Sequence, residues 1–217
     1  MTTIILTSTV NVDLRKCGTF QSNVNDRLET YLKSILQWLT KTQFKIVLVE
    51  NSGYNFDELN NEKILYKNRF EVITFVEKDL AEAQYCANTA AKGNSEMFAI
   101  NYAFNNSKII HSSNFVIKIT ARFFINELEE FLNQFDLDKY DCLTQQNRDR
   151  CEMVGSHYKN FHYIFDRKLL NQNGHYWGHV EDIWKMRSSK FTNILICKQF
   201  EIDPTQRGGI PEIYYNI

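Results

Sequence analysis

Two neighbouring carboxylates, Glu181-Asp182, follow an aromatic, glycine-bearing segment, Gly174-His-Tyr-Trp-Gly-His179-Val180. Adjacent carboxylates can hold neighbouring hydroxyls or raise each other's pKa. The plainer reading is an acidic first helical turn favoured by the helix dipole. Tyr176 and Trp177 carry ring faces that could stack on a sugar, and His179 stands beside the acids. A second set is cationic. Arg122 is a permanent charge whose fork matches phosphate oxygens. Lys118 and Thr120 precede it at intervals of two, which places all three on one face of an extended strand. Lys92 could reach a phosphate, and Gly93 opens a helix whose free N–H groups could face an anion. A third set closes two apolar runs: Thr7-Ser8-Thr9 and Glu50-Asn51-Ser52-Gly53. The Glu50 carboxylate can accept from ribose hydroxyls or a base N–H, or simply hold its own turn. Arg207, in the tail Thr205-Gln-Arg-Gly-Gly209, could touch phosphate as part of a lid; the alternative is a disordered tail.

The elements that must position these groups follow from periodicity. Ile4-Ile5-Leu6 is a short buried strand. Residues 11–23 are polar and irregular, a loop. Val24, Leu28, Tyr31, Leu32, Ile35 and Leu39 have helical spacing. Residues 44–50 form a β-branched strand stopped by turn formers at 51–53. Residues 71–76 and 114–120 read as the third and fourth strands. Between them Gly93-Asn94-Ser95 precedes a helix, with Asn94 or Ser95 as its N-cap. Then come a short helix at 128–135, strands at 141–144, 152–155 and 162–165, a short helix at 180–186, and a last strand at 194–197. Residues 204–211 are a loop by composition. Strand–helix–strand alternation predicts an α/β fold with a mostly parallel sheet. Such sheets bind ligands at the carboxyl ends of their strands.

In this order the segments ending at Thr9 and Gly53, the helix start at Lys92-Gly93 and the strand ending Thr120-Ala121-Arg122 resemble the nucleotide-binding half of GT-A glycosyltransferases, especially the family-2-like ones. The resemblance covers about residues 3–125. It implies a single GT-A-type, Rossmann-like domain over residues 1–217, with helices flanking the sheet. About 1–125 would bind the nucleotide sugar; about 126–217 would hold the acceptor and a C-terminal loop. Thr7, Ser8, Thr9, Glu50, Asn51, Ser52, Gly53, Lys92 and Gly93 fall at the nucleotide end. The family's DXD motif is missing, because positions 120–122 lack both carboxylates. Arg122, together with Lys118, is expected to replace a metal at the diphosphate, and Thr120 between them is counted with the donor site. No residue is assigned as a metal ligand. Manganese or magnesium is left open as a cofactor without a DXD motif to hold it. Asp136-Leu-Asp138 has the spacing but lies beyond the helix that follows strand four.

In inverting relatives an aromatic loop precedes a Glu-Asp pair that opens a helix. The resemblance therefore implies Asp182 as base and Glu181 as acceptor binder, with Trp177, Tyr176, His179 and the segment Gln145-Gln146-Asn147-Arg148 lining the acceptor cleft. The expected activity is transfer from a nucleoside diphosphate sugar, UDP among the candidates, to a glycan or lipid-linked acceptor. Two alternatives stand beside it. One is a non-catalytic nucleotide-sugar or glycan-binding relative, which the missing DXD favours. The other is a nucleotidyltransferase, which would want a Gly-rich basic signature that residues 7–12 do not supply.

Composition narrows the classes. A net charge of -1 with no basic stripe argues against nucleic-acid binding. No run of 18 apolar residues predicts a spanning helix, and the start shows no signal-peptide pattern, so a cytoplasmic protein is expected. A lipid-linked acceptor would call for peripheral membrane contact. The five cysteines are scattered without a C-x-x-C pair, which argues against zinc and a disulfide framework. P-loop, dinucleotide-binding, zincin, nucleophile-elbow and kinase motifs are all missing.

Overall fold

Ile4, Ile5 and Leu6 have no exposed surface and form the middle of β1 (Thr2–Ser8). In this computed structural model, which describes residues 1–16, 19–87, 91–146, 150–177 and 179–217, β1 is a central strand. Cys17, Asn147, Arg148 and Gly178 lie outside the described residues. β1 pairs in parallel with β2 (Lys45–Glu50) on one side and β4 (Phe115–Thr120) on the other. β3 (Phe70–Thr74) extends the sheet beyond β2. Beyond β4 come β6 (Met153–His157), β5 (Cys142–Thr144) and β7 (Ile194–Ile196). The seven-stranded order is β3-β2-β1-β4-β6-β5-β7, and β6 alone runs antiparallel to its neighbours. Central strands covered on both faces need continuous apolar runs, which explains residues 4–6, 46–49 and 115–117.

Strand alternation sorts the core into two layers. Ile4, Leu6, Ile46, Leu48, Ile117 and Ile119 face α1 (Val24–Lys41) and α5 (Leu128–Leu132). Ile5, Val47, Val49 and Val116 face α4 (Lys92–Asn106), α6 (Phe161–Ile164) and α7 (Val180–Ser188). Two short helices, α2 (Asn60–Leu65) and α3 (Gln84–Ala87), fill the connections around β3. Asn23 caps α1 by accepting from the N–H groups of Asn25 and Asp26. Trp38 on the buried face of α1 is wholly enclosed, and its Nε1 donates to Phe123 O at 2.9 Å. Truncating it to Ala would cost about 3–5 kcal/mol.

Four local expectations are corrected. β3 covers 70–74 rather than 71–76, and Val76 instead forms an isolated bridge with Ser52. α4 starts at Lys92 with Ala91 as N-cap, so Asn94 and Ser95 lie inside the first turn. Their side chains bond outward, to Tyr176 Oη and Glu77 Oε1. Residues 161–164 are helix, not strand. Phe161, Ile164 and Phe165 are buried while His162 and Tyr163 are exposed, which is a helical spacing that a short apolar run conceals. The tail is a hairpin, β8 (Glu201–Gln206) with β9 (Ile213–Asn216), rather than a loop. Pro204 is tolerated there because β8 pairs on one side only. The hairpin is fastened by Tyr214, stacked on Phe123 at 6.0 Å, and by the buried Ile217.

Candidate functional site

The carboxyl ends of β1, β2 and β4, the first turns of α4 and α7, and the turn of the C-terminal hairpin enclose one cleft of about 1060 Å³. That is the scale of a small-molecule site, for which about 300–1,000 Å³ is usual. Thr7, Ser8, Thr9, Asn51, Ser52, Lys92, Gly93, Thr120 and Arg122, all named from the sequence as candidates, line it. His179, Glu181 and Arg207 reach the same cleft from the C-terminal half.

An inner layer of charges holds this frame together. Glu50 is wholly buried, and its carboxylate accepts from Val10 N at 2.8 Å, Ser52 N at 2.8 Å, Tyr54 N at 2.9 Å and the Ser52 hydroxyl. It is a loop organiser, not the nucleotide contact expected of it, because four donors from its own two loops fill its oxygens. Gly53, at φ +85°, supplies the left-handed turn that lets those loops close and does not line the cleft. Lys118 is also wholly buried. It pairs with Glu96 at 2.6 Å, donates to Cys151 O at 2.6 Å and lies 5.2 Å from the Trp184 ring. Burial alone would depress its ammonium, but Glu96 and its other neighbours hold it above the ordinary lysine value. Thr7 Oγ1 donates to the same Glu96, tying β1, α4 and β4.

Lys118 therefore does not face the cleft, and it does not share a side of the sheet with Arg122. Extended alternation ends at Thr120, where Phe123 N bonds Thr120 O and the chain turns. The Arg122 guanidinium emerges on the α1 side, 5.9 Å from the Tyr31 ring. Arg27 flanks the same ring at 5.5 Å, with its donors given to Thr9 O, Gln21 O and Tyr31 Oη. Burial lowers the pKa of Arg27, and Arg122 nearby lowers it further. Arg122 lies directly under Gly208, where a Cβ would stand 2.5 Å from its Nη2. Gly208 O in turn accepts from Phe20 N, so the hairpin turn is fastened over this end of the cleft. Arg207 beside it is loosely paired with Glu212 at 4.0 Å.

The acidic pair divides. Glu181 lines the cleft and accepts from Cys151 Sγ at 3.5 Å. Burial pushes the Cys151 thiol well above its ordinary pKa, despite the pull of Lys118, so it is no nucleophile. Asp182 is exposed, outside the cleft lining, and accepts from Trp177 Nε1 at 2.8 Å. Consecutive helical residues point about 100° apart, and here Glu181 takes the cleft side. Trp177 and Tyr176 also lie outside the lining. Both are half-exposed, their polar tips bound to Asp182 and Asn94, which fastens residues 176–177 across the starts of α7 and α4. Gln145 is buried, and its Oε1 accepts from Met153 N. It ties the end of β5 to the start of β6 and does not line the cleft.

Sequence reasoning missed Arg27, Tyr31, Lys16, Glu96 and Glu152. Lys16 bridges Glu77 at 3.7 Å and Ser95 at 3.3 Å, closing the cleft beside α4. A divalent cation does not fit the end of β4, where positions 120–122 present a hydroxyl, a methyl and a guanidinium. Among the described residues, no group of three His, Cys, Asp or Glu side chains is placed to hold one. Asp136 and Asp138 lie away from the cleft, with Asp136 capping Asp138 N and Asp138 accepting from Asn114. Among the described residues no helix is long and apolar enough to cross a membrane.

The comparisons that match are with solved structures. The S. aureus TarS fragment 1–349 superposes with a TM-score of 0.51 at 10% identity, over 90% of this chain and 57% of that one. The glycosyltransferase GlyE of Streptococcus pneumoniae TIGR4 gives 0.49 at 9%, over 90% and 44%. A cytidylyltransferase of Leptospira borgpetersenii gives 0.49 at 13%, over 91% and 75%. This chain thus spans little more than half of the TarS fragment and under half of GlyE. No protein-family model and no curated protein matches the chain. The TarS likeness establishes the fold, a single GT-A-type α/β domain with a mostly parallel sheet. Chemistry has to be argued from the cleft itself.

Proposed function

We propose that the chain transfers a sugar from a nucleoside diphosphate sugar to a glycan or lipid-linked acceptor, with inversion at the anomeric carbon. The observation that carries this is one cleft holding two guanidiniums around Tyr31 and a carboxylate, Glu181, at the start of α7. Paired guanidiniums favour a doubly charged diphosphate, and Arg122 can bind it in a fork. The loops at Thr9 and Asn51, joined by a 2.7 Å hydrogen bond, supply the nucleoside end. In the reaction the acceptor oxygen bonds the anomeric carbon as the bond to the diphosphate oxygen breaks. The acceptor proton passes to Glu181, and the leaving diphosphate keeps the electron pair against Arg122. Glu181 replaces Asp182 as the base because it alone of the pair faces the cleft. Tyr176 and Trp177 offer their exposed ring faces to the acceptor. Arg122 stands where a metal would act, so turnover should persist in EDTA.

Thermal-shift screening against UDP-, GDP- and dTDP-sugars, followed by assay of nucleoside diphosphate release, tests the reading. Stabilisation by at least one donor is expected, with turnover falling about 10²–10⁴-fold in Glu181→Gln. Failure of every donor to stabilise the protein would overturn it.

A further inference from the structure

One buried carboxylate in the cleft keeps an oxygen that no described residue satisfies. Glu152 is 7% exposed and lines the cleft, yet among the described residues its Oε2 has no hydrogen-bond partner. Leaving a buried acceptor unmade costs about 1–3 kcal/mol, and more for a charge, so such a group is expected to meet its partner in a ligand. Its backbone is fixed: Glu152 O accepts from Thr120 N at 2.9 Å, just before β6 begins beside the end of β4. Arg122, two residues beyond Thr120, likewise has a buried Nε without a partner. A cation and an anion thus line one cleft from two hydrogen-bonded chain ends, each with a buried atom that no described residue satisfies. A ligand that serves both must place an anionic group beside neutral hydrogen-bond donors. A phosphate ester of a polyhydroxylated ring has that order of groups.

We infer that Glu152 reads the hydroxyls of the donor's sugar ring, and so makes a neutral, hydroxyl-bearing sugar the transferred group. The inference rests on the glycosyltransferase reading and adds which residue senses the sugar rather than the nucleotide. A carboxylate oxygen accepts only, so it binds O–H groups and repels an acidic ring substituent. It is a specificity residue of the donor site, separate from the diphosphate contact at Arg122 and the base at Glu181.

The test is calorimetric titration of wild type, Glu152→Gln and Glu152→Ala with UDP, GDP and dTDP and with their glucose, galactose, N-acetylglucosamine and mannose conjugates. For the conjugate that binds wild type, both substitutions should weaken binding about ten- to a hundredfold, the worth of a hydrogen bond to a charged group. The bare diphosphate should bind within about twofold of wild type. The melting temperature of Glu152→Gln should be unchanged or higher, since the amide can take the place of Oε2, which bonds to no described residue. Parallel weakening of diphosphate and conjugate, no weakening of either, or a lowered melting temperature in Glu152→Gln would overturn the inference and leave the transferase reading standing. Wild type that binds diphosphates but no sugar conjugate would also overturn it. Failure of wild type to bind any of these compounds would overturn both.

Discussion

Glu50 and Glu152 stand at the same end of the sheet, and both are more than nine-tenths buried. Glu50 accepts four hydrogen bonds from its own loops, whereas Glu152 Oε2 accepts none. The same contrast separates the cations of the fourth strand. Lys118 is spent on Glu96 and Cys151 O, whereas Arg122 keeps an unpartnered Nε. Charges of the inner layer hold the frame; charges of the cleft are left for something else. Burial does not distinguish the two carboxylates. What distinguishes them is whether the protein itself has filled their hydrogen-bonding capacity.

If that division is right, inner-layer substitutions cost stability, and cleft substitutions cost binding or turnover. The largest stability effect is expected for Lys118→Met. It leaves Glu96 next to a fully buried methyl group and should destabilise by about 3–5 kcal/mol in urea unfolding. Loss of under about 1 kcal/mol would break the division at its strongest point. The pH dependence adds a sign. The folded state holds the Lys118 proton more tightly than the unfolded chain, whose value is near 10.5. Its contribution is therefore complete below that value and fades as pH rises through the folded value. Wild type should lose more stability than Lys118→Met between neutral pH and pH above 10.5. Next comes Glu50→Gln, in which an amide N–H₂ must face two of the four donors. A loss of about 2–3 kcal/mol is expected, with the slope of the unfolding curve unchanged.

The sheet and its flanking helices were legible because they rest on local periodicity: residues 4–6, 44–50 and 114–120 as buried runs, and the stripe from Val24 to Leu39 as a helix. The site was legible only as far as strand ends. Arg122 was placed beside Lys118 by counting in twos, and the turn after Thr120 ended that count. Glu50 was read as a ligand contact because the approach of Val10 N and Tyr54 N to its oxygens is a matter of loop geometry, which no spacing reports. Arg27 had a readable signal, a charge four residues before Tyr31 on the apolar stripe of α1. Glu152 had none; its meaning comes from the β4–β6 register, a contact between distant segments.

On the cleft side, Arg122→Met should cost folding less than the inner-layer substitutions do. The guanidinium's ring contacts, 5.9 Å to Tyr31 and 5.8 Å to Phe123, are worth about 1–2 kcal/mol between them. Nucleoside diphosphate binding should nevertheless fall at least tenfold, about 1.4 kcal/mol. Large unfolding with intact binding would place Arg122 in the inner layer with Lys118.

The smallest effect is expected where the sequence pointed most firmly. Asp182 is exposed, and among the described residues it accepts from the Trp177 indole N–H. Asparagine keeps an oxygen that can accept that bond, so Asp182→Asn should change stability by less than about 0.5 kcal/mol, as surface substitutions generally do. Its turnover should stay within about tenfold of wild type, against the far larger loss in Glu181→Gln. The two variants differ by one position on one helical turn, so folding and helix-dipole effects largely cancel between them. If Asp182→Asn proves the more damaging, α7 must turn its other side to the acceptor in the working enzyme, and Glu181 would join the inner layer.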